Sequence, residues 1–307
     1  MSALKLQQAV IATRPSALAR WQAQAVEEAL ARSWPELSFQ TVVIKTAGDR
    51  TLDQPLPALG GKGAFTSELE ESLRNRKVDL AVHSLKDLPI ENSPDLVLGA
   101  ILMREDARDV LISSNGGGLN DLPAGVSVGT SSPRRRSQIL ALRPDLLVRS
   151  IRGNVETRIR KVREGQYEAA VLAAAGVLRL GLSEHIAEWF SLDRMLPAPG
   201  QGALAVQCRA EDEQILDLLH PLNSKSVQDA VTAERTFLSQ LGGGCLLPVG
   251  AYAETREGDI KLLGMVASVD GRTVVRVSGR GSVPRELGEK LGAEALARGA
   301  REILSLE

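Results

Sequence analysis

The sequence predicts an α/β protein: two lobes of similar size with a cleft between them, followed by a small C-terminal α+β domain. Three observations carry this. Apolar strands alternate with amphipathic helices through the first two-thirds of the 307-residue chain. That alternation restarts after about residue 103. From Val249 onward it gives way to two-residue alternation broken by short polar turns. The length itself suggests two or three domains, at roughly 150 residues each. The expected boundaries are 1–102 with about 200–220 for the first lobe, 103–199 for the second, and 221–307 for the C-terminal domain.

In order, Gln8–Thr13 reads as a buried strand, and Ser16 can cap a helix over Ala17–Ser33. Phe39–Lys45 is a second strand. Thr66–Lys77 is an amphipathic helix, with Phe65, Leu69 and Leu73 four apart, and Val78–His83 is a third strand. This is βαβ grammar, which implies a mostly parallel sheet covered by helices. The second lobe repeats it: strands at Asp109–Ser113, Val126–Thr130, Leu146–Ser150 and Ala169–Ala173, with helices over Arg134–Ala141 and Val155–Glu164. Residues 197–202 (PAPGQG) form a crossing linker, after which Ala203–Gln207 can return a strand to the first lobe. Val249–Thr255, Ile260–Val269 and Arg272–Gly279 form an antiparallel meander, and a helix over Pro284–Leu304 closes the chain.

Composition removes several classes. Net charge is −1 from 37 basic and 38 acidic residues, so no global field draws the chain to nucleic acid or a membrane. Aromatics are 3%, too few for a base-stacking platform. Three histidines make a His-rich metal site an unsuitable reading, and no metal is expected. Two cysteines are no disulfide framework, and no apolar signal core or long apolar run is present. A cytoplasmic monomer is therefore expected.

Charge is uneven nonetheless. Arginines crowd the stretch from Arg134 to Arg163. In open α/β sheets, ligands bind beyond the carboxyl ends of strands, and the unusual polar residues fall there. Arg14 and Ser16 follow the first strand; Ser84, Lys86 and Asp87 follow the third. Thr130, Ser131, Ser132, Arg134 and Arg135 follow VSVG, Arg152 follows LLVRS, and Arg179 follows EAAVLAAAG. Guanidinium groups grip carboxylates in pairs of hydrogen bonds and stay charged, so this constellation fits a small molecule with several carboxylates. Arg136, Arg160 and Arg163 fit solvated helix faces instead. Asp87 stays ionised beside cations and can stabilise a cationic intermediate, although a turn or cap role fits its position equally. Lys86 could alternatively form a Schiff base. His83 fits a packed strand end.

Cys245 follows Gly242, Gly243 and Gly244, an uncrowded approach to sulfur that suits an attachment point; Cys208 lies in an apolar strand. Gly60-Gly61-Lys62-Gly63 lacks a nucleotide-binding pattern and reads as a mobile loop whose Lys62 can close over the cleft.

Taken together, these stretches resemble the porphobilinogen deaminase family. The matching segments are IATRPSALARWQA, GGKGAFTSELE, DLAVHSLKDLP, VGTSSPRRRSQ, RSIRGNVETR, LPAPGQGALAVQCR, TAERTFL and GGGCLLPVG, in family order across almost the whole chain. The resemblance implies three domains, the first two similar to two-lobed periplasmic binding proteins. It implies a transferase, a hydroxymethylbilane synthase of tetrapyrrole biosynthesis. Four porphobilinogen molecules join head to tail with loss of ammonia to give hydroxymethylbilane. It implies a dipyrromethane cofactor, thioether-linked to Cys245, and a catalytic Asp87. Ser84, Lys86, Asp87, Thr130, Ser131, Ser132, Arg134, Arg135 and Arg158 match cofactor-binding positions. Arg14, Ser16, Lys62, Phe65, Arg152, Arg179 and Gln201 match substrate-binding positions. Gly242 and Leu246 depart from the family's Glu-Gly-Gly-Cys-Gln, and Pro15 and Pro133 stand where other residues are expected. A non-catalytic two-lobed binder of polycarboxylates accounts for the cleft but not for the Gly-Gly-Gly-Cys loop. Hinges are expected at 103–108 and 196–203.

Overall fold

The structure, a computed structural model, describes residues 6–50, 65–90, 93–243 and 247–305. In chain order come β1 (Gln8–Thr13), α1 (Ala17–Ser33), β2 (Ser38–Val43), a single turn α2 (Ala47–Arg50), α3 (Ser67–Arg74), β3 (Leu80–Ser84) and β4 (Leu96–Ile101). Next are β5 (Asp109–Ser113), β6 (Ser127–Gly129), α4 (Pro133–Leu142), β7 (Leu147–Arg149), α5 (Val155–Arg163), β8 (Ala169–Ala173), α6 (Ala174–Arg179) and β9 (Glu188–Trp189). The chain continues with β10 (Leu204–Arg209), α7 (Glu213–Leu219), α8 (Lys225–Gln240), β11 (Val249–Arg256), β12 (Asp259–Ala267), β13 (Val274–Gly281), α9 (Pro284–Ala295) and α10 (Arg301–Ser305). Two compact units result, 1–104 with 203–228 and 105–202 with 229–307.

The first unit is built on a five-stranded sheet of order β2-β1-β3-β10-β4. β1 runs parallel to β2 and β3, whereas β10 returns antiparallel to both β3 and β4. Ala23, Val26 and Leu30 of α1 recur at helical spacing and pack with Ile11, Leu80 and Val82 on one face. Leu69 and Leu73 of α3 pack with Ala12, Ala81 and Leu96 on the other. The period-2 strand pattern thus feeds two helical layers, one per face.

The second unit holds two sheets. One has order β7-β6-β8-β5-β9, with β6 parallel to β7 and β8 and β5 antiparallel to β8 and β9. Each five-stranded sheet is therefore mixed, because one strand enters from the opposite end. The other is the expected meander, β11-β12-β13. Leu287 and Leu291 of α9 lie over its Gly279, where a side chain would crowd Leu291. The expected single terminal helix is interrupted: after α9 the backbone loosens into one wide turn, with Gly299 at φ 100°, before α10 begins. No helix among the described residues is long and apolar enough to cross a membrane.

Candidate functional site

In the first unit the functional side chains gather where β1 and β3 end. Ser16 accepts from the Ala19 amide at 3.2 Å and so starts α1. Arg14, just before it, makes a two-pronged pair with Asp49: Nε to Oδ2 at 3.2 Å and Nη2 to Oδ1 at 2.5 Å. Thr46 donates its amide and hydroxyl to Asp49 Oδ2 at 3.1 and 2.8 Å. Burial raises the Asp49 carboxyl, but the Arg14 hydrogen bond and charge, with Thr46, outweigh it and hold it below the usual range. The Arg14 guanidinium also lies 4.2 Å from the centre of the Phe65 ring. Gly48 makes room for that ring, since a Cβ there would come within 2.1 Å of it.

β3 ends in one tight turn, Leu85–Asp87, anchored by the fully buried Leu85, whose amide donates to the Ala203 carbonyl at 3.0 Å. This anchoring leaves Asp87 exposed and Lys86 half-buried. Ser84 accepts from the Gln22 amide nitrogen at 2.8 Å. Arg14, Gln22, Phe65, Ser84 and Asp87 line one small cavity, together with Thr66 and His83. Ser16 and Lys86 are not among its lining residues. Lys62 lies outside the described residues.

In the second unit Thr130, Ser131 and Ser132 form the turn between β6 and α4. The Thr130 hydroxyl accepts from the Ser132 amide at 3.2 Å, and Ser132 caps α4 through the Arg135 amide at 3.4 Å. Ser131 bonds to the Ser150 hydroxyl at 2.7 Å and donates to the Ile151 carbonyl at 2.8 Å. Arg158 donates Nε to the Gly153 carbonyl at 2.8 Å, across a turn in which Gly153 takes φ 112° and Asn154 caps α5. Arg152 is half-buried on the same turn. Arg179, at the end of α6, is buried and donates Nη2 to the Gly202 carbonyl at 2.7 Å.

Arg134, Arg135 and Gln201 do not face outward as the sequence suggested. All three are buried and converge on Asp109, itself fully buried at the start of β5. Asp109 accepts from Arg134 Nη1 at 2.6 Å, from Arg135 Nε and Nη2 at 3.0 and 2.7 Å, and from Gln201 Nε2 at 2.9 Å. The anion that these arginines meet is internal. Burial raises the Asp109 carboxyl; the two guanidinium groups outweigh it and hold it far below the usual range. Two cations against one anion leave the cluster one net positive charge, which favours an anion nearby. Arg136 donates to the Val148 carbonyl at 2.8 Å rather than facing solvent freely.

Sequence reasoning missed Asp49 and Asp109, each a lone acid whose significance lies in its tertiary partners. It also missed Glu234 of α8, fully buried, whose two oxygens accept from the Gly200 and Ala253 amides, each at 2.7 Å. Cys245 lies outside the described residues; Gly242 and Gly243 before it take φ 95° and 63°. Cys208 is buried, and burial pushes its thiol up to about 11, so it carries no thiolate at neutral pH.

Comparison with known proteins points to one family. The family model described as porphobilinogen deaminase, dipyrromethane cofactor binding domain, matches residues 9–217, and the family's C-terminal domain matches 229–297. A Roseiflexus sp. porphobilinogen deaminase is 49% identical over 298 residues, 96% of this chain and 98% of that one. The Brevibacillus brevis porphobilinogen deaminase is 47% identical over 296 residues, 96% of each chain. Among solved structures, a VFT2 domain of Bordetella pertussis BvgS aligns loosely, at TM-score 0.44 and 16% identity over 75% of this chain and 92% of that one.

Proposed function

Since the chain belongs to the porphobilinogen deaminase family, it is a transferase that condenses four porphobilinogen molecules into hydroxymethylbilane, and we propose how its own residues divide that work. The enzyme carries a dipyrromethane cofactor. When bound, the cofactor supplies a tethered pyrrole carbon from which the product chain is extended. Its attachment point is Cys245, approached through glycines whose positive φ few side chains tolerate. The donor set suits a group bearing carboxylates: hydroxyls of Ser84, Thr130, Ser131 and Ser132, the cations of Lys86 and Arg158, and the net positive charge around Asp109. Arg134 and Arg135 act through that charge, and Gln201 helps fix the Asp109 carboxylate they share. Arg14, Ser16, Lys62, Phe65, Arg152 and Arg179 hold substrate carboxylates and ring.

Asp87 is the catalytic group. As the C–N bond of the protonated aminomethyl group of porphobilinogen breaks, the electron pair leaves with nitrogen as neutral ammonia, and the positive charge passes to the ring system. The exposed Asp87 carboxylate, on the wall of the cavity beside Ser84, accepts the pyrrole N–H and stabilises that charge. Asp87 is also placed to receive the proton that a ring carbon would release on forming the new C–C bond. The observation that carries this reading is the single cavity joining Arg14, Phe65, Ser84 and Asp87. In functional terms the chain divides as a first lobe of 1–102 with about 200–220, a second of 103–199 and a cysteine-bearing domain of 221–307, working as a cytoplasmic monomer.

Intact mass tests the reading. The purified active enzyme should exceed its sequence mass by one dipyrromethane, and Cys245→Ser should lack that addition and turnover together. An unmodified mass in an active preparation overturns the attachment.

A further inference from the structure

Two buried polar atoms on residues lining the first unit's cavity have no partner among the described residues. Thr66 is 2% exposed and His83 5%. Thr66 Oγ1 and His83 Nε2 have no hydrogen-bond partner, although both residues line the cavity that Asp87 borders. Thr66 stands at the N-cap of α3, yet its hydroxyl makes no cap bond. Gln207 lies against the imidazole but makes no hydrogen bond of ordinary geometry to it, and its own Oε1 is unpaired as well. Buried polar atoms without partners are uncommon in native proteins, and two on one cavity wall point to a guest that completes them.

The wall also sets the guest's charge. Arg14 shares two hydrogen bonds with Asp49, which offset its charge toward a small guest inside the cavity. The Gln22 amide nitrogen is taken by Ser84. Burial, with Arg14 adding to it and Gln207 opposing, drives the His83 imidazole down to about 4, leaving it neutral near pH 7. A hydroxyl, a neutral imidazole and the Asp87 carboxylate at the cavity wall suit a small guest with one lone pair and several N–H groups.

Resting on the deaminase reading, we propose that this cavity is the berth of the ammonia released at each condensation, with the Thr66 hydroxyl donating to its lone pair and His83 accepting an N–H. Heterolysis of the protonated aminomethyl group, –CH2–NH3+, delivers nitrogen as neutral ammonia carrying the electron pair, while the positive charge stays on the substrate beside Asp87. Ammonia is then the nearest nucleophile to that cation. Thr66 engages the lone pair that would remake the C–N bond, so the step is biased forward.

The test compares Thr66→Val, which keeps the shape but lacks the hydroxyl, with Thr66→Ser, which keeps the hydroxyl. Steady-state rates with porphobilinogen are measured alongside exchange of 15N-labelled ammonia into unreacted substrate, on enzyme whose mass confirms the cofactor. Thr66→Val should lose about tenfold in kcat with KM nearly unchanged, the worth of one hydrogen bond made as nitrogen departs. Its ratio of exchange to turnover should rise several-fold, and Thr66→Ser should restore both. Wild-type values in Thr66→Val overturn the berth, as does a KM that rises in step with the loss of kcat. Wild-type enzyme releasing no ammonia from porphobilinogen would instead overturn the deaminase reading itself.

Discussion

Replacing Asp109 by Asn tests whether Arg134 and Arg135 are held by an internal anion. The side chain keeps its shape but loses its charge. One of its two oxygens becomes an amide N–H, which faces guanidinium donors instead of accepting from them. Four hydrogen bonds of 2.6 to 3.0 Å converge on this carboxylate, and every partner is at least nine-tenths buried. Breaking a buried ion pair by removing one partner costs about 3–5 kcal/mol, because the remaining cations keep their desolvation penalty. At about 2–4 °C per kcal/mol for a unit of this size, the melting temperature should fall by roughly 10 °C. Urea titration followed by circular dichroism measures the loss. Adding Arg135→Met to Asp109→Asn should recover part of it, since one orphaned cation is removed. A loss below about 1 kcal/mol for Asp109→Asn would refute the assignment, since a buried charge cluster cannot be that indifferent to the loss of its carboxylate.

Other expectations follow the same physics. The His83 imidazole titrates near 6.5 unfolded and near 4 folded, so protons bind the unfolded chain first. As pH falls from about 6.5 to 4, wild type should lose up to about 3 kcal/mol relative to His83→Gln; parallel pH profiles of urea midpoints for the two proteins would show the imidazole is not buried neutral. Asp109 is depressed in the opposite sense and should keep its contribution until well below the usual carboxylate range. Asp87→Asn should retain the dipyrromethane mass and porphobilinogen binding yet lose about 10²-fold or more in kcat, as for other preorganised charge stabilisers; near-normal turnover would remove Asp87 from the chemistry. Gly48→Ala places a Cβ 2.1 Å from the Phe65 ring, and an overpacked site of this kind loses about 1–3 kcal/mol. A substrate KM unchanged by that variant would argue that Phe65 and Arg14 do not act together.

Much of this architecture is legible in the chain. β1 and α1 lie where periodicity and the Ser16 cap put them, because one strand and one amphipathic stripe leave little choice. The meander likewise follows from alternation and its turn residues. β4 escaped notice since Leu96–Ile101 is a continuous apolar run whose period is ambiguous. No helix is expected from the sequence at α7 or α8, although the family-matching segment TAERTFL lies within α8. Register was equally hidden: nothing local tells that β10 and β5 run against their neighbours. At the site, Asp87 and the serine-rich turn were visible as strand-end polar residues. The partners of the arginines were not, because Asp49 and Asp109 are brought to them by tertiary folding across more than 20 residues. The connecting segments also prove less free than loop composition suggests. Gln201 bonds to the Ala107 carbonyl at 2.7 Å and Arg134 to that of Leu196 at 2.7 Å, which confines any hinge in those stretches to their outer ends.

The place of β10 carries a consequence for how the molecule is made. β3 and β4 are not hydrogen-bonded to each other; β10 lies between them, and it comes from residues 204–209. A ribosome therefore delivers β1 to β4 long before the strand that unites them. During that interval the nascent chain exposes two unfilled edges, each a template for mispairing. The intervening segment contains all five strands of its own sheet and can close it first. Synthesis thus imposes an order, the inserted sheet before the one that began earlier. A chain terminated at residue 202 should aggregate through its N-terminal strands rather than persist as a smaller soluble fragment.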